Sequence, residues 1–201
     1  MMSAARAASA ARTSRISSRL CAAARCRFAE DRLADAISDG IGQVVLIGDG
    51  LENFAAHNPY RGVRVFEVPG AAELENALSG AGFDAAAAGF FVRLDGSASL
   101  TDPALTAALR YVGGCAAGSA VIFDHAAETV PHAACELLNL AGLAVIEDLT
   151  PSVLASRYLA VPAARELPGP RITHARTRSG WSGHRRELPG GDTLVIRALT
   201  S

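Results

Sequence analysis

The chain has 201 residues, half of them hydrophobic, with 19 arginines, no lysine and a net charge of −1. That length suits one domain burying roughly 70% of its unfolded surface. The missing lysines exclude a Schiff base, a P-loop lysine and lysine acid–base chemistry, and the near-neutral charge offers no basic field to recruit nucleic acid. No apolar run approaches the ~20 residues of a membrane span. Cys21, Cys26, Cys115 and Cys135 form no C-x-x-C pair and no zinc spacing, so no metal site is expected and reduced thiols in a cytoplasmic protein are the simplest reading.

Residues 1–27 carry Arg6, Arg12, Arg15, Arg19, Arg25 and Arg27 with no acid before Glu30. They read as a basic, partly ordered leader, with an organelle transit peptide as the alternative. A single α/β domain is expected over 28–201.

Residues 28–39 suit a helix, with Phe28, Leu33, Ala36 and Ile37 on one stripe and Gly40 ending it. Val44-Val45-Leu46-Ile47 then fits a strand buried on both faces. The turn Gly48-Asp49-Gly50 follows, and a short helix stops at Asn58-Pro59. A G-x-G turn either cradles a ligand or merely joins a strand to a helix. The second strand, Val63 to Val68, tips that balance, because Glu67 near its end can accept hydrogen bonds from ribose hydroxyls. A dinucleotide fingerprint would need a third glycine where Asn53 stands, which disfavours NAD and FAD and favours S-adenosylmethionine.

A helix is expected over 71–78, a strand over 89–94 ending at Asp95-Gly96, and a helix opened by Asp102-Pro103 and running to about 116. Strands follow at 120–123 and 143–146, helices at 135–140 and 151–157, loop over 160–192 and a last strand over 193–198. This alternation predicts an open, mostly parallel, doubly wound sheet covered on both faces. His57, His125 and His132 are candidate bases, and His125 is favoured because it lies just past a strand's carboxyl end. Asp124 beside it reads equally as a helix cap.

Several of these segments together resemble a known family. Arg25-Cys26-Arg27-Phe28-Ala29-Glu30-Asp31 is similar to R-T-R-[FY]-x-D-D, and 43–52 to Q-V-V-x-L-G-A-G-L-D. Phe66-Glu67-Val68 is similar to the start of [VF]-[YF]-E-[VI]-D-x-P. Ala81-Gly82-Phe83-Asp84, followed by Asp95-Gly96 and Leu100, is similar to A-G-F-D with a later E-G-x-x-x-Y-L. The chain thus resembles the S-adenosylmethionine-dependent methyltransferases related to leucine carboxyl methyltransferase, including the tetracenomycin-type polyketide O-methyltransferases.

The resemblance implies a class I methyltransferase fold and S-adenosylmethionine as cofactor. It also implies O-methylation of a carboxyl or hydroxyl group on a small molecule in natural-product metabolism. Arg25 or Arg27 would hold the methionine carboxylate; otherwise both belong to a solvated leader. Gly48 and Gly50 would admit the cofactor to the backbone. Asp95 would lie near the ammonium or sulfonium group, or else cap a helix. The family's acid in E-x-D is Pro69 here, so ribose binding would pass to Glu67. The segment before A-G-F-D is short, which implies a missing edge strand. The family's tyrosine is Ser99. Pro69 and the short middle also support a second reading, in which a degenerate methyltransferase fold binds a ligand or partner, or catalyses another pathway step. No membrane or nucleic-acid partner is expected, and a homodimer is possible.

Overall fold

The structure is a computed structural model that describes residues 2–48, 50–96, 98–126, 131–160 and 167–178. The strand expected over 193–198 and the Trp181 region lie outside the described residues.

Helix α1 runs from Met2 to Ser38, well upstream of the expected start. Its alanine-rich sequence favours helix, and Cys21, Ala24, Phe28 and Leu33 form one buried stripe along it. Gly40 closes it in a Schellman motif, with the Ile41 N–H donating to the Ala36 carbonyl at 3.0 Å and the Gly40 N–H to Ile37. Strand β1 (Gln43–Ile47) is buried along its whole length. It is followed by α2 (Glu52–Ala56), β2 (Arg64–Val68), a 3₁₀ turn (Ala71–Glu73) and α3 (Leu74–Ala81). Next come β3 (Gly89–Arg93), α4 (Pro103–Gly113), β4 (Ala120–His125), α5 (Pro131–Leu140), β5 (Leu143–Leu149), α6 (Pro151–Leu159) and β6 (Arg171–Thr177). Asp102 caps α4 by accepting from the Ala104 N–H at 2.9 Å, with Pro103 at the first helical position as its sequence predicts.

The six strands lie in the order β2-β1-β3-β4-β6-β5. Neighbouring strands from β2 to β4 are parallel, and β6 is antiparallel to both β4 and β5. The sheet is therefore open, mostly parallel and doubly wound. Among the described residues β2 and β5 are its edges, and the uncovered β2 is in keeping with the expected loss of an edge strand. Alternate β1 side chains feed two cores. Val45 and Ile47 join Phe66, Phe91, Val121, Leu78, Leu109 and Leu138 beneath α3, α4 and α5. Val44 and Leu46 join Phe90, Val92, Ile122, Phe28, Leu33 and Leu154 beneath α1 and α6. Each such side chain contributes about 1.5–3 kcal/mol by leaving water.

Strand β6 corrects the loop expected over 160–192. Its sequence, Arg-Ile-Thr-His-Ala-Arg-Thr, has only two apolar side chains, so no alternation announces a strand. Its two buried threonines are satisfied internally instead, while His174 Nδ1 is buried without a hydrogen-bond partner among the described residues. Thr177 Oγ1 accepts from the Gly118 N–H at 2.9 Å, and Thr173 Oγ1 donates to Asp148 at 3.2 Å.

His174 of β6 packs its ring 6.1 Å from that of Phe90. Burial pushes its pKa down from the ordinary 6.5 to about 4, Glu147 and Asp35 opposing and Arg32 and Arg176 assisting. The unfolded chain therefore binds this proton first, so stability is complete above pH 6.5 and is lost as pH falls toward 4. Between pH 7 and pH 5 the loss should be at most about 2 kcal/mol. In urea titrations His174→Phe should lose less stability than the parent over that interval; an unchanged pH dependence would show that His174 is not its source.

Candidate functional site

The chain turns from one side of β1 to the other between β2 and β3, and ligands of open α/β sheets bind outside the strand carboxyl ends at such a switch point. A cavity of about 390 Å³ lies there, lined by Gly48, Pro69, Gly70, Arg93 and Asp95 among others. The Gly48 N–H donates to the Val68 carbonyl at 2.8 Å, which ties the turn to the end of β2. Gly48 has φ +71°, and a Cβ there would meet nothing closer than the Pro69 carbonyl at 4.0 Å. It is an open cradle. Gly50 differs: a Cβ there would lie 2.7 Å from Leu94 Cβ and 3.1 Å from the Leu94 nitrogen. The second glycine lets the turn press against the end of β3, and its missing side chain is taken up by protein rather than by the cavity.

Helix α1 brings Arg25 and Cys26 to this end of the sheet. Cys26 Sγ donates to the Gly50 carbonyl at 3.4 Å, and burial pushes its thiol pKa up, with Arg25 opposing. Arg25 Nη1 lies 3.4 Å from Asp124 Oδ2, whose carboxylate is fully buried at the end of β4. Asp124 also accepts from the Asp95 N–H at 3.1 Å and from the Gly96 N–H at 3.0 Å. Burial raises its pKa, while the Gly96 N–H and the Arg25 guanidinium oppose the rise. Asp124 anchors the turn after β3.

Arg27, two residues along the helix, points to nearly the opposite side. It is exposed and pairs with Glu30 and Asp31 of its own helix at 3.7 and 3.4 Å. Arg93, which the sequence reading passed over, ends β3 with only 9% exposure. Its Nη2 lies 2.5 Å from Asp95 Oδ2 and 3.7 Å from Asp102 Oδ2. Its Nη1 is buried with no hydrogen-bond partner. The available signal was a charge closing the apolar run Phe90-Phe91-Val92, where burial requires a partner.

Of the expected site residues Gly48 and Asp95 line the cavity, whereas Arg25, Arg27, Gly50, Glu67 and His125 do not. Glu67 is exposed on β2 and borders a groove along the strand's free edge with Ala77 and Leu78. His125 is 1% exposed, with Nδ1 3.1 Å from the Ala126 carbonyl and Nε2 3.2 Å from Thr173 Oγ1. Burial lowers its pKa, and the Ala126 carbonyl and Asp148 oppose that. Among the described residues no group of three or more His, Cys, Asp or Glu is placed to hold a metal ion, and no helix is long and apolar enough to cross a membrane.

A family model described as leucine carboxyl methyltransferase matches residues 2–109, which include the glycine turn, β2, β3, Arg93 and Asp95. No curated protein matches the chain. Among solved structures it is similar to a TehB-like SAM-dependent methyltransferase from Corynebacterium glutamicum, at 15% identity over 75% of this chain and 88% of that one, with a TM-score of 0.42.

The two glycines and the buried acid have separable consequences. Gly50→Val should lower folding stability by about 1–3 kcal/mol through overpacking against Leu94, so any ligand lost would go with the fold. A Gly50→Val protein as thermostable as the parent would contradict that packing. Asp124→Ala leaves Arg25 and two amides without their acceptor and should cost about 3–5 kcal/mol in chemical denaturation.

Proposed function

The chain belongs to the leucine carboxyl methyltransferase family and is an S-adenosylmethionine-dependent methyltransferase; from that premise we propose that it methylates a carboxyl or hydroxyl oxygen of a small molecule in natural-product metabolism of the polyketide type. The observation that carries this reading is the cavity at the switch point, open above Gly48 and flanked by charges of both signs. The residues fit the cofactor. Gly48 admits a ligand to the backbone, Asp95 offers a carboxylate, and Arg25 is held in place by Asp124 with its Nε still lacking a partner.

When bound, the cofactor supplies an electrophilic methyl group. The protein's work is then to hold donor and acceptor in line and keep water out, and such positioning can lower a barrier by about 7–11 kcal/mol. In this reading Arg25 meets the methionine carboxylate, where a guanidinium's planar fork is well suited. Arg27 is occupied by Glu30 and Asp31 on the far side of α1, which leaves Arg25 as the candidate. Glu67 is the acid left for ribose because Pro69 cannot serve. A carboxylate acceptor is already a nucleophile and needs no base, whereas a hydroxyl acceptor requires one, and His125 is the candidate. The described cysteines are unbridged, which agrees with a cytoplasmic protein.

Calorimetric titration with S-adenosylmethionine and S-adenosylhomocysteine tests the reading directly, since binding of neither at millimolar concentration would overturn it. If Glu67 serves ribose, Glu67→Ala should weaken both ligands by roughly 1.5–3 kcal/mol, tenfold or more. Parental affinity in that variant would remove Glu67 from the site.

A further inference from the structure

Two charged side chains share the cavity wall beside Gly48, and they are paired with each other. Arg93 Nη2 lies 2.5 Å from Asp95 Oδ2, and both residues line the cavity. The guanidinium cannot swing into water cheaply. Its side chain is 10% exposed, it ends a strand hydrogen-bonded on both sides, and Asp102 at 3.7 Å draws it toward the start of α4. Asp95 is held as firmly, because its backbone N–H is anchored on Asp124 and its Oδ1 accepts from the Ala98 N–H at 3.1 Å.

A positively charged ligand group approaching Asp95 would therefore find the carboxylate already occupied by a fixed cation. We infer that Arg93 is a charge filter in the cofactor crevice, an internal cation that shares Asp95 with the ligand and disfavours a sulfonium relative to a neutral thioether. The inference rests on the methyltransferase reading and deepens it. S-adenosylmethionine and S-adenosylhomocysteine differ by one methyl group and one positive charge. Of the two groups that the resemblance puts near Asp95, the ammonium is common to both ligands and the sulfonium is not, so with the sulfur end there a buried cation acts against the charged ligand and leaves the neutral sulfur nearly untouched. It follows that the crevice holds the spent cofactor relatively tightly, so Arg93 governs product inhibition.

Arg93→Gln removes the charge and keeps an amide donor on a shorter side chain; Arg93→Lys keeps the charge. Affinities for both ligands are to be measured by calorimetry at fixed ionic strength on parent and variants, with circular dichroism as the check of folding. Arg93→Gln should shift the affinity ratio toward S-adenosylmethionine by roughly tenfold, and Arg93→Lys should keep the parental ratio. Binding of S-adenosylmethionine by the Gln variant alone would also support the filter. A folded Arg93→Gln protein that binds both ligands at the parental ratio overturns it, even if both affinities drop together, because that pattern means Arg93 contacts a part common to the two. If the Gln protein does not fold, a ratio changed in Arg93→Lys overturns it and a parental ratio supports it. Binding of neither ligand by any of the three proteins would overturn the methyltransferase reading itself, and the filter with it.

Discussion

A carboxylate with no exposure to water organises this site. Asp124 sits at the end of a central strand, where leaving an ion uncompensated would cost several kcal/mol. Its compensation comes from three directions: the Asp95 and Gly96 amides from the turn after β3, and Arg25 from α1. The helix that covers one face of the sheet and the turn that supplies Asp95 are therefore fixed relative to β4 by one group. Neither can shift without stranding a buried charge, so the crevice wall is set before a ligand arrives. Preorganisation of this kind is what binding and in-line transfer both require.

The glycine turn shows how one motif can serve two masters. In G-x-G both glycines are commonly credited to the ligand, yet here the space beside Gly50 is filled by Leu94 and the space beside Gly48 is open. Close contact between the ends of β1 and β3 narrows the switch point. The opening is thereby displaced toward β2, where Pro69 and Gly70 form the far wall. A proline at that wall adds no side-chain acceptor, and among the described residues the charges lining the cavity are Arg93 at the end of β3 and Asp95 just after it. The electrostatics of the crevice thus depend on one strand end more than on the three that enclose it.

Much of the fold was legible because its signals are local. Val44 to Ile47 and Phe90 to Val92 are apolar runs too short for anything but buried strands, and Asp102-Pro103 marks a helix start whatever surrounds it. The site was legible only where a motif carried it: Gly48, Arg25 and Asp95 line up with family patterns. Arg93 and the anchoring role of Asp124 were not, because a charge at a strand end acquires its meaning from a partner on another element. Asp124 answers a helix nearly a hundred residues earlier in the chain. The early start of α1 was hidden for a related reason. Its buried stripe upstream of Phe28 is Cys21 and Ala24, small side chains that give a weak periodic signal. In β6 the apolar pattern is weak, Ile172 and Ala175 being its only buried apolar residues, and the strand is held by pairing with β4 and β5 on either side.

Hydrogen bonds among these strands bear on which acceptor the enzyme uses. The Ala126 carbonyl can only accept, so the 3.1 Å contact places a proton on Nδ1 of His125. In the neutral ring Nε2 is then a lone pair facing Thr173 Oγ1, whose single proton is also sought by Asp148, itself held by Arg171. Donation of that proton to Nε2 leaves Asp148 held through both oxygens by Arg171, so the neutral ring that burial favours is fully satisfied. The basic nitrogen of the neutral ring is thus turned toward β6 and β5, into a closed network, and not toward the cavity above Gly48. His125 could take a hydroxyl acceptor's proton only with that network broken. A carboxylate acceptor needs nothing from His125 beyond its packing, and within the proposed function the balance therefore lies with the carboxylate.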